Sequence, residues 1–153
     1  MKLHPNNKLD QPIVLVDRQR ARREQYASAL RAEGFLVYAC DTARAPALLD
    51  TLFSQVMLAV LNCSSIGADE EQVIQAMLAR HCHLLVLCDR VPLSMLRVLF
   101  LQGVDDIADQ PRSPEQLVDQ IHEALIGLVP RNSYQAVERE MFYEQKKTYS
   151  DCR

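Results

Sequence analysis

Six apolar residues in a row, Val56 to Leu61, lead straight into Asn62 and then into a short polar loop with Gly67. A continuous apolar run of this length, bounded by turn residues, suits a strand buried on both faces. That is the pattern of a central strand in a parallel sheet. In such sheets function gathers just past the carboxyl ends of the strands. Asn62 stands there, although an amide is a poor nucleophile and a weak metal ligand.

The flanking sequence alternates in the same style. Pro12 to Val16 is a short apolar strand that ends in Asp17 and Arg18. Apolar spacing predicts a helix over Gln19 to Glu33, stopped by Gly34. Phe35 to Cys40 is the second strand, followed by a helix over Ala45 to Phe53 with Pro46 in its first turn. After the central strand comes a helix over Asp69 to Arg80, with Val73, Ile74, Met77 and Leu78 inward. His83 to Cys88 is the fourth strand, and a helix over Leu93 to Leu101 ends at Gly103. Asp106 to Asp109 makes a shorter fifth strand, closed by Gln110 and Pro111. Ser113 caps the next helix, with Pro114 at its first position and Glu115 in its first turn. That helix reaches Leu128, with Leu117, Ile121, Leu125 and Leu128 on one face. Strand–helix alternation with short connections implies an α/β fold: a doubly wound (βα)5 sheet of five parallel strands.

The 153 residues divide into a disordered lead at 1–11, one domain at 12–128, and a linker and amphipathic helix at 129–153. In the last segment Ser133 is the N-cap, and Tyr134, Val137, Met141 and Thr148 keep a heptad spacing that Glu144 interrupts. A net charge of -3 gives no general attraction to nucleic acid or to an anionic membrane. No apolar run approaches the roughly 20 residues that span a bilayer, and the polar start lacks the apolar centre of a signal peptide. The five cysteines, Cys40, Cys63, Cys82, Cys88 and Cys152, are odd in number, and several lie in or beside apolar runs. Reduced thiols and a cytoplasmic location are expected. None of the four glycines lies in the turn after the first strand, so a dinucleotide site and a phosphate loop are both disfavoured.

The segment Gly103-Val-Asp-Asp-Ile-Ala-Asp-Gln-Pro111, the acidic Asp17 after the first strand and the polar Asn62 after the third occur in a definite order. In that order the chain resembles the receiver domain of bacterial response regulators over residues 12 to 128. The resemblance implies sheet order 2-1-3-4-5 and a cleft above strands 1, 3, 4 and 5. It also implies a phosphorylation chemistry, which can be checked position by position. A working receiver places two acidic residues after the first strand to hold magnesium; here Asp17 is followed by Arg18. Its phosphorylated aspartate is Asn62 here. Its Ser or Thr after the fourth strand is Cys88, its lysine before the proline is Gln110, and its aromatic switch residue is Ile107.

Each change removes a definite capability. An acyl phosphate needs a carboxylate oxygen as nucleophile, which the Asn62 amide lacks. Magnesium needs hard, mostly charged oxygens in octahedral array. Gln110 cannot neutralise a phosphoryl group. Arg18 has two courses: into solvent, or inward, where its guanidinium would stand near Asp17 and Asn62 in the metal's place. The resemblance therefore implies a degenerate cleft of Asp17, Arg18, Asn62, Cys88 and Gln110, with no metal, no cofactor and no catalysis by this chain. Expected partners are a second copy of the chain and an output domain or protein, with no membrane and no direct nucleic-acid contact by this domain. Two outputs join receivers through such a terminal helix: a LuxR-type DNA-binding domain and a GGDEF diguanylate cyclase. Asp151 matches the start of the cyclase motif, but Arg153 stands where its leucine belongs, so DNA binding ranks first.

Other features have plainer readings. Cys63 and Cys88 could form a redox pair, though buried thiols generally act as small hydrophobes. His81, Cys82 and His83 lack a second ligand cluster. Asp105 and Asp106 belong to the loop and strand start. A ligand or redox sensor using the altered cleft is the remaining alternative.

Overall fold

A computed structural model describes residues 11–52 and 55–128. The order of elements is β1 (Ile13–Asp17), α1 (Arg20–Ala32), β2 (Val37–Cys40), α2 (Ala45–Leu52), β3 (Leu58–Asn62), α3 (Ala68–Ala79), β4 (Leu84–Leu87), α4 (Leu93–Gln102), β5 (Asp106–Ala108) and α5 (Pro114–Leu128). Every strand pair is parallel, and the sheet runs β2-β1-β3-β4-β5. This is the doubly wound order expected. Residues 1–10 of the expected lead, and the linker and helix from 129, lie outside the described residues.

Alternation along the strands builds the core. Val14, Val16, Ala59, Leu61, Leu84 and Val86 face one way, against Leu49 of α2, Val73, Ile74 and Met77 of α3 and Leu99 of α4. Ile13, Leu15, Leu58, Val60, Leu85 and Leu87 face the other way, against Tyr26, Ala27 and Leu30 of α1 and Leu117, Val118 and Ile121 of α5. Both faces of β1, β3 and β4 are therefore buried, which is why these strands read as unbroken apolar runs.

Local chemistry sets the ends. Gly34 follows α1 with a φ of 96° and Gly103 follows α4 with a φ of 112°, a left-handed turn that glycine adopts without steric cost. The Ser113 hydroxyl accepts the Gln116 N–H at 3.1 Å and so caps α5. The central strand starts two residues later than the apolar run and takes in Asn62 as its last member. That shift sets Asn62 in register with Asp17 on the neighbouring strand.

Candidate functional site

Asp17 and Asn62 end β1 and β3 side by side, and both are buried. The Asn62 side-chain amide donates to Asp17 Oδ2 at 2.9 Å. Gln110, just past β5, donates its own amide N–H to Asn62 Oδ1 at 3.2 Å. The Gln110 main chain is held in turn, since its N–H donates to Asp89 Oδ1 at 2.8 Å. Residues from the ends of three strands are thus joined by one line of hydrogen bonds.

A residue the sequence did not single out closes this line. Arg22 lies in the first turn of α1, and its guanidinium forks onto Asp17. Nε donates to Oδ2 at 2.6 Å and Nη2 donates to Oδ1 at 2.7 Å. The hydrogen bonds to Asp17 raise the Arg22 pKa above its ordinary value, against the opposing effect of burial. The Gln19 N–H adds a further bond to Asp17 Oδ1 at 3.0 Å. A carboxylate offers about four lone-pair sites, and these four N–H donors take them all. The carboxylate also compensates for the helix itself: α1 has a Gln19 N-cap with no side-chain cap and no acidic residue in its first turn. Arginines there oppose the helix dipole, and Asp17 offsets them.

Arg18 does not enter the cleft. Its guanidinium donates to Asp69 Oδ2 at 3.2 Å and to Glu70 Oε2 at 2.8 Å, with its side chain 61% exposed. Of its two courses the side chain takes the outward one, toward the start of α3. Glu70 is buried there because its other oxygen accepts the Gly67 N–H at 3.0 Å, the return arm of a helix cap. The cation on the Asp17 carboxylate is Arg22. The signal was present as Arg18, Arg20, Arg22 and Arg23 in close succession, but nothing in that run selects one of them.

Cys88 lies just past β4, buried, and opposite Cys63 in the extension of the β3–β4 register. Burial, with the Cys88 thiol next to it, pushes the Cys63 thiol well up. Thiolate is the reactive form of cysteine, so these surroundings quiet Cys63. Ile107 packs against the α2–α3–α4 side of the core. Asp105 accepts the Leu84 N–H at 2.8 Å and stands 3.6 Å from His83, a structural role at the strand start.

No family model and no curated protein matches the sequence. Solved structures match the fold. A pilus assembly-related protein of Burkholderia pseudomallei is 16% identical with a TM-score of 0.62, over 86% of this chain and 100% of that one. The signal receiver domain of a LuxO repressor protein of Vibrio parahaemolyticus is 14% identical with a TM-score of 0.63, over 78% of this chain and 93% of that one. The signal receiver domain of a modulated diguanylate cyclase of Desulfovibrio desulfuricans is 13% identical with a TM-score of 0.61, over 77% of this chain and 95% of that one. The fold is that of a receiver domain.

Within the receiver fold, the residues present do not fit a magnesium ion. Asp17 is the acidic side chain at the end of β1, its lone pairs are taken by N–H donors, and a guanidinium lies against it. A divalent cation would have to displace Arg22 and be repelled by it. No cluster of three or more His, Cys, Asp or Glu side chains suited to a metal occurs among the described residues. No helix among them is long and apolar enough to cross a membrane.

Proposed function

We propose that the chain is a phosphorylation-independent pseudo-receiver. It acts in signal transduction by protein–protein contact and by control of an output domain or partner, and it performs no catalysis itself. The observation that carries this reading is the filled Asp17 carboxylate, with Asn62 rather than a carboxylate in register beside it. The network Arg22–Asp17–Asn62–Gln110 satisfies internally the polar atoms that a phosphorylation site would turn toward metal and phosphoryl oxygens. The receiver is held in one state by its own hydrogen bonds.

An output domain of the LuxR DNA-binding type is the first choice for what the receiver controls, in transcription regulation. A diguanylate cyclase is the second, favoured by the start of its motif at Asp151. The receiver pairs with a second copy through the face of α4, β5 and α5, through the terminal segment, or through both; Leu93, Val98 and Leu101 of α4 are exposed. The test is incubation with acetyl phosphate and magnesium, read by intact mass. The expected result is no phosphoryl adduct; an adduct mapped to the cleft overturns the reading.

A further inference from the structure

A pocket lies outside the cleft, at one edge of the sheet. The β2 strand is one of the two edge strands, and the pocket, open and of about 480 Å³, straddles it between α1 and α2. Its lining includes Arg23, Arg31 and Arg44, the Tyr38 ring, Leu48 and a single carboxylate, Asp41. In a chain whose net charge is -3, this pocket carries three arginines against one acid.

The bonding of those arginines makes the pocket electropositive. Arg23 Nη1 donates to the Asp17 carbonyl at 2.9 Å, and Arg31 Nη2 donates to the Val37 carbonyl at 2.8 Å. Both acceptors are neutral main-chain oxygens, so the guanidinium charges are positioned without being neutralised. None of the ion pairs among the described residues involves Arg23, Arg31 or Arg44. Asp41 is committed locally, its Oδ1 accepting the Arg44 main-chain N–H at 2.9 Å. Arginine forks match phosphate oxygens in pairs, which is the recognition their planar geometry favours. Tyr38 is 39% exposed beside them and offers a flat face for stacking, with the Leu48 side chain as an apolar wall. The volume falls in the range of small-ligand sites, roughly 300–1,000 Å³.

We infer that this edge pocket binds a nucleotide, its phosphates on the arginines and its base against Tyr38. The site is distinct from the proposed pseudo-receiver cleft and does not depend on that reading. The two meet at Arg23, which reaches from the pocket to the main chain of Asp17.

The test is calorimetric titration of the full chain with ATP, GTP and inorganic tripolyphosphate at low salt. Arg44→Glu and Tyr38→Ala are the variants, because neither side chain takes part in the hydrogen bonds of the cleft. Far-UV circular dichroism and melting confirm that each variant is folded, and Arg44→Gln serves if the charge reversal is not tolerated. At least one nucleotide is expected to bind, weakening with added salt. Arg44→Glu should lower its affinity by about tenfold or more. Tyr38→Ala should weaken the nucleotide but leave tripolyphosphate unchanged. Absence of nucleotide binding at millimolar concentration overturns the inference. So does binding that Arg44→Glu leaves intact, or tripolyphosphate binding as tight as that of both nucleotides with no effect of Tyr38→Ala.

Discussion

Arg22 closes on Asp17 through two hydrogen bonds, at 2.6 and 2.7 Å, with the carboxylate fully buried and the guanidinium side chain 23% exposed. The pair joins the first turn of α1 to the end of β1. The same carboxylate accepts from the Asn62 amide, whose oxygen in turn accepts from Gln110.

Removing one partner of that pair should be costly. Arg22→Met keeps much of the side-chain stem but leaves a buried, uncompensated carboxylate, a loss of about 3–5 kcal/mol. The double variant Arg22→Met, Asp17→Asn should lose less than the sum of the two single changes, because the stranded charge is gone. Urea unfolding of the four proteins measures this. Additive losses would mean that the pair does not act as a unit.

Restoring phosphorylation should require Arg22 to be removed, not only Arg18. Asn62→Asp alone puts a second carboxylate beside Asp17 and removes the amide donor, so it should destabilise the chain by about 1–3 kcal/mol and gain almost no label. The set Arg22→Ala, Asn62→Asp, Gln110→Lys should bind magnesium and take some label from acetyl phosphate. The matching set with Arg18→Asp in place of Arg22→Ala should not, because the cation on Asp17 is still there. Groups that act as a unit are strongly non-additive, so no single change should suffice. Equal labelling of the two sets, read by intact mass, would mean that Arg22 does not block the cation.

Stability should fall in alkali. Burial, with the Asp41 carboxylate adding to it, pushes the Cys40 thiol from 9.0 up to about 11. Burial also raises the Cys63, Cys82 and Tyr26 groups. Below pH 9 both folded and unfolded chains keep these thiol protons. As pH rises from 9 toward 11 the unfolded chain releases the Cys40 proton while the folded chain holds it, so the stabilisation is lost across that window. The urea midpoint, measured under reducing conditions, should be lower at pH 10.5 than at pH 8.5. Cys40→Ala should flatten part of that slope despite its own packing cost. A midpoint that rises over the interval contradicts the assignment.

The helix α4 should carry a dimer contact. Leu99 and Phe100 are buried, whereas Leu93, Val98 and Leu101 are 40%, 48% and 53% exposed. One buried stripe does not account for that much apolar surface. Sedimentation velocity at high micromolar concentration should show a dimer, and Leu101→Glu should shift it to monomer. A wild-type chain that is monomeric under those conditions counts against the pairing.

The succession of strands and helices was legible because its signals are local. Apolar runs mark strands buried on both faces, Gly34 and Gly103 mark helix ends, and Ser113 marks a cap. That Asn62 and Gln110 carry amides, with no carboxylate oxygen and no ammonium charge, was legible too, since it holds wherever the chain puts them. Tertiary structure alone decided which cation meets Asp17. Arg18, next in sequence, leaves β1 toward Asp69 and Glu70, whereas Arg22 is in the first turn of α1, where side chains tilt back toward the helix start and so toward the strand end. The pocket at the β2 edge is of the same kind, joining Arg23 and Arg31 of α1 to Tyr38 of β2 and to Arg44. Sequence periodicity reports which face of an element is apolar. Where a long charged side chain ends depends on how two elements pack, and that is settled only when the sheet and its helices come together.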